Sequence, residues 1–111
     1  MNKGIYILLV WLLLLPACTH KESISFVSNA KSDGNGYVPD AKTAAKIAEA
    51  VSLAIYGDKI YEQQPFNISL VKDSVWVING TFNESSLSVG GVVHIKIQKT
   101  DGKILYVMHG K

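Results

Sequence analysis

The 111-residue chain contains no arginine, and its single cysteine is Cys18. One cysteine excludes an intramolecular disulfide and any multi-cysteine zinc or iron–sulfur site. The lack of arginine removes the bidentate clamp on which carboxylate and phosphate sites commonly rest. Eleven lysines against nine acids leave a formal charge of only +2. A nucleic-acid binder needs clustered basic residues to displace phosphate counterions, so no nucleic-acid partner is expected. Long apolar runs are scarce too, and much of the 48% hydrophobic content sits in one stretch, Ile5–Leu15. The length allows one domain.

That stretch follows a basic start at Lys3. As a helix, eleven residues rise about 16 Å, half of a ~30 Å hydrocarbon core, which is too short to span. A basic start, a short apolar run and a small residue at its end describe a secretory signal over residues 1–17. Leu15-Pro16-Ala17-Cys18 resembles a bacterial lipobox, with Pro16 departing from the usual small residue, and implies lipid modification of Cys18. A single acyl chain anchors marginally and several anchor stably. The mature chain, Cys18–Lys111, then carries ten lysines against nine acids and is expected in a bacterial cell envelope. Thr19 does not resemble an inner-membrane retention residue, which favours the outer membrane.

Residues 18–36 read as the lipidated cysteine and a tether rich in Ser, Asn, Lys, Asp and Gly. A flexible coil of that kind reaches about 24 Å. Ile24, Phe26 and Val27 interrupt its polarity, either as a short strand or as a segment docked on the domain. The folded unit is expected at residues 37–111. Its helix starts at Asp40, an N-cap for the amides of Lys42 or Thr43, and stops at Gly57. Ala44, Ile47, Ala48, Val51 and Ile55 form its apolar stripe by three- and four-residue spacing. Leu53 falls on the polar side, either exposed or covered by the tether.

Everything after Pro65 reads as strand. Phe66–Leu70 alternates, Lys72-Asp73-Ser74 turns, Ser74–Phe82 returns around Trp76, and Val92–Lys99 alternates again. Asp101-Gly102 is a strong hairpin signal before Lys103–His109. A two-residue turn there would oppose Ile97 to Tyr106 and Ile95 to Met108, the core face for the helix to cover. The other face would gather His94, Lys96, Gln98, Lys103, Leu105, Val107 and His109. The expected architecture is α+β: one long helix on a roughly four-stranded antiparallel meander, roll-like.

Sites for chemistry are few. His94 and His109 would stand opposite each other in that register, but a zinc site wants three or four protein ligands, so no metal is expected. Gly90-Gly91 lacks the strand–loop–helix setting of a phosphate cradle and reads as a strand start or bulge. Three N-glycosylation patterns, at Asn67, Asn79 and Asn83, are read as strand and turn residues. There is no G-x-S-x-G, and the acids fall at caps, turns and polar faces. No enzymatic activity and no cofactor are expected.

The series Val38-Pro39-Asp40, Thr43-Ala44, Ile47-Ala48-Glu49-Ala50, Tyr56-Gly57, Pro65-Phe66, Val75–Thr81, Gly90-Gly91-Val92 and Asp101–Ile104 resembles a family of small bacterial immunity proteins with a nuclear-transport-factor-2-like fold. The resemblance covers nearly all of residues 37–111, although the helical part is smaller than that fold's three-helix cone. It implies an immunity role in a polymorphic toxin system: neutralising a cognate toxin by stoichiometric binding, with no catalytic residues to carry over. The outward sheet face is the expected surface, with Leu105 and Val107 at its centre and His94, Lys96, Gln98 and Lys103 around them. The alternative is a small-ligand-binding or catalytic lipoprotein with a pocket between helix and sheet, lined by Ile47, Val51, Trp76 and Tyr106.

Overall fold

A computed structural model describes residues 23–83 and 91–110; the signal segment, Cys18 and most of the Asn83–Ser88 loop lie outside them. The order is β1 (Phe26–Val27), α1 (Ala41–Tyr56), a 3-10 helix (Asp58–Gln63), β2 (Phe66–Val71), β3 (Val75–Asn79), β4 (Val93–Gln98) and β5 (Ile104–His109). One five-stranded sheet runs β1-β2-β3-β4-β5, antiparallel except for β1 beside β2. No helix among the described residues is long and apolar enough to cross a membrane.

The Asp40 carboxylate caps α1, accepting from the Thr43 amide at 2.8 Å and the Thr43 hydroxyl at 2.7 Å. These bonds, the hydroxyl's first, hold its pKa below the usual carboxylate value. Gly57 ends the helix with its amide on Leu53 O. The buried stripe is narrower than the spacing predicts. Ala44, Ala45, Ala48 and Ser52 face the sheet, Ile47 and Val51 are half-buried, and Ile55 is 57% exposed. The sheet side already carries Trp76 and Phe66, both fully buried, and small helix residues leave room for those rings at close-packed density. Ser52 tolerates burial because its hydroxyl donates to Ala48 O at 2.6 Å. Leu53 is exposed at 40%.

From Ile24 the chain is built into the domain. Ile24 belongs to the core, and Phe26 and Val27 pair with Phe66 and Asn67. Further on, Tyr37 and Val38 donate to Thr100 O and Lys99 O, both at 3.0 Å. Val38 O in turn accepts from the buried Trp76 Nε1 at 2.8 Å. Lys99 is itself buried. Its ammonium lies 2.6 Å from Asp33 and also donates to Asn35 O. That ammonium, followed by the Asn35 amide, brings the Asp33 carboxyl from 3.8 down to about 2.

These contacts overturn the expected β4–β5 register. Lys99 and Thr100 offer their carbonyls to residues 37 and 38, and Lys99 N donates to Ser74 O, so neither enters the ladder with β5. The connection becomes the loop Lys99–Gly102, closed by Gln98 N on Lys103 O and Gly102 N on Gln98 O. Gly102 supplies the positive φ of 77° that this turn requires. The register is therefore Val93↔His109, His94↔Met108, Ile95↔Val107 and Lys96↔Tyr106, then Ile97↔Ile104 beyond a bulge that leaves Leu105 extra. Every residue of β5 beyond the bulge has the facing opposite to the one expected.

Candidate functional site

The sheet has a helix side, lined by Phe66, Ile68, Trp76, Ile78, Val93, Ile95 and Ile97, and an outer side that no described element covers. Strand alternation and the observed pairs place Asn67, Ser69, Val77, Asn79, His94, Lys96 and Gln98 on the outer side. Tyr106 and Met108 join them.

Three rings and charges meet there. His94 Nδ1 contacts Asn79 Oδ1, which orients the imidazole. The His94 ring stands edge-on to Tyr106 at 5.6 Å, and the Lys96 ammonium lies 5.7 Å from the Tyr106 centroid, within cation–π range. Toward β1 the same side opens into a cleft of about 510 Å³, lined by Val27, Ser28, Asn29, Asn67, Ser69 and Asn79. The outer strand positions carry two cations, at Lys96 and at Lys103 opposite Gln98, and no carboxylate.

Of the residues expected on this surface, His94, Lys96, Gln98 and Lys103 are on it. Leu105 sits in the bulge and is 41% exposed. Val107 and His109 are not on it. Val107 packs against the core opposite Ile95. His109 contacts the Tyr56 ring at 4.9 Å and Gln63 Nε2 at 3.1 Å on the helix side. His94 and His109 are thus on opposite faces, and no metal-holding group of three occurs among the described residues. Tyr106 lies across the sheet from Trp76, Ile47 and Val51, so the four residues of the alternative pocket do not converge.

Gln63 is the residue that sequence reasoning missed. It is buried, its Oε1 accepts from Val93 N at 2.8 Å, and its carbonyl accepts from Thr81 N at 2.8 Å. Gly80 packs against it so closely that a Cβ there would lie 2.3 Å from Oε1. This knot joins the 3-10 helix to the ends of β3, β4 and β5, and no local pattern marks it.

The arrangement offers no nucleophile beside a base and no convergent carboxylates. It offers a rigid, partly apolar, cationic surface suited to binding. Comparison with known proteins places the chain in a family. The sequence model of a family described as NTF2 fold immunity protein matches residues 43–111. An Escherichia coli K12 protein named "Uncharacterized protein YhhH" is 34% identical over 87 residues, covering 78% of this chain and 67% of that protein. No solved structure matches. With the family match spanning more than half of its length, and with one helix on a mostly antiparallel sheet, the chain belongs to the NTF2-fold immunity proteins.

Proposed function

We propose that this protein neutralises a cognate protein toxin by stoichiometric binding, without catalysis, from a lipid anchor at Cys18 in the bacterial envelope, on the outer membrane. Occlusion is the mechanism: the outer sheet side docks on the toxin's active or entrance surface. Family membership supports the class of partner. The observation that carries the surface is the outer side, uncovered among the described residues, where the Lys96 ammonium and the His94 ring both meet Tyr106. An aromatic–cation centre of this kind is typical of binding hot spots. Gln98, Lys103 and Leu105 surround it. Tyr106 and Met108 take the central places first expected for Leu105 and Val107.

The test is co-expression with the neighbouring upstream reading frame, first shown to arrest growth when expressed alone. The wild-type chain should restore growth, and Lys96→Glu with Tyr106→Ala should lose about tenfold or more in affinity if this is a hot spot. Unchanged neutralisation by that folded double variant would exclude the surface. Intact mass of the mature chain checks the anchor: Cys18 carries several acyl chains, and Cys18→Ser releases the protein from the membrane fraction.

A further inference from the structure

We propose that the free edge of β5 is a template for strand addition, and that its occupant is an extended segment of the toxin lying in an acidic surface. The proposal rests on the neutralisation reading above and specifies how the partner is held. Gly110 N donates to Val92 O at 2.9 Å, and Met108 and Tyr106 oppose His94 and Lys96. By antiparallel alternation Met108 and Tyr106 direct their backbone groups to β4. Those of Val107 and His109 point away from the sheet. Strand β5 ends the sheet, and among the described residues no backbone bond reaches that edge.

Sheet edges are normally guarded by lysine, proline or a bulge. From Ile104 to Met108 there is no charge, proline or glycine, and the bulge at Leu105 guards only the turn end. Ile104, Leu105, Tyr106 and Met108 are 37, 41, 41 and 45% exposed, a run of apolar side chains along the edge strand. The opposite edge differs, because β1 covers the start of β2.

Two further observations select the occupant. The adjoining outer positions bring Lys96, Lys103 and His94 with no carboxylate, so a partner strand flanked by Asp or Glu is complementary and a basic one is repelled. Size agrees as well. Five strands ~4.8 Å apart and six residues at ~3.3 Å give the outer side a planar footprint of about 400 Å². A stable complex covers about 800 Å² per partner. Docking that also engages the β5 edge, about 20 Å long, narrows that gap.

The experiment uses the full chain in detergent with the co-expressed toxin. Amide exchange at Val107 and His109 should be fast in the free protein and slow about tenfold or more in the complex. Val107→Pro removes one outward donor, and Leu105→Lys places a charge on the edge. Each should weaken binding about tenfold while accumulating in the membrane fraction like wild type. Unchanged exchange at those two amides in a complex that forms overturns the proposal without using any variant. So does full neutralisation by both variants, and in either case the neutralisation reading stands. A wild-type chain that neutralises nothing removes the reading and this proposal together.

Discussion

Truncating Gln63 to alanine tests the buried knot most sharply. Val93 is fully buried, and its amide has Gln63 Oε1 as acceptor at 2.8 Å. An orphaned buried N–H costs about 1–3 kcal/mol, and losing the Gln63–His109 bond adds about 1, so roughly 3 kcal/mol is expected. In a domain of this size that lowers Tm by about 15 °C. Gly80→Ala should cost nearly as much alone, since its Cβ would lie 2.3 Å from Oε1 and 3.0 Å from the Gln63 Cβ, forcing the carboxamide off Val93. The two costs then share one cause. In the Gln63→Ala background Gly80→Ala should add under about 1 kcal/mol, a coupling typical of residues in contact. Thermal and urea unfolding of the four proteins measure the cycle. Additivity within about 0.5 kcal/mol, or a Gln63→Ala loss below about 1 kcal/mol, would refute the reasoning by showing that water satisfies Val93.

Four further outcomes are expected. The Asp33 carboxyl is held below its ordinary value by Lys99 and the Asn35 amide, so its ionised form favours the fold. That contribution is complete above about pH 4 and fades as pH falls toward 2; the urea midpoint of wild type should therefore drop more over this window than that of Asp33→Asn, and a smaller drop contradicts it. Asp40→Ala removes the α1 cap and should cost about 1 kcal/mol by thermal unfolding. Ser52→Ala should be neutral or stabilising by up to ~0.5 kcal/mol, because the hydroxyl serves only its own helix. Trp76→Phe should cost about 2–3 kcal/mol in urea unfolding, leaving the buried Val38 carbonyl without its donor.

How much of this was legible in the residues depends on how local the cause is. Asp40, Thr43 and Gly57 sit within one helix, and the α1 boundaries follow from them. Strand alternation around Trp76 and between Val93 and Gln98 reports directly which side is buried. The β5 facing was not legible. It depends on Lys99 and Thr100 pairing with residues 37 and 38, more than sixty positions away, and a one-residue slip inverts a whole strand. That slip moved Val107 and His109 off the expected surface and brought Tyr106 and Met108 onto it. Gln63 was invisible for the same reason, since its partners Val93, Gly80 and His109 come from three other strand ends.

The parallel pairing of Phe26 with Phe66 also bears on the proposed anchor. Were Cys18 acylated as proposed, residues 19–23 alone would link the lipid to Ile24, at most about 21 Å of fully stretched chain. The fastening point is at the β1 margin, and β5 lies about 19 Å away across the sheet. In that arrangement β5 would lie on the flank farthest from the proposed mooring.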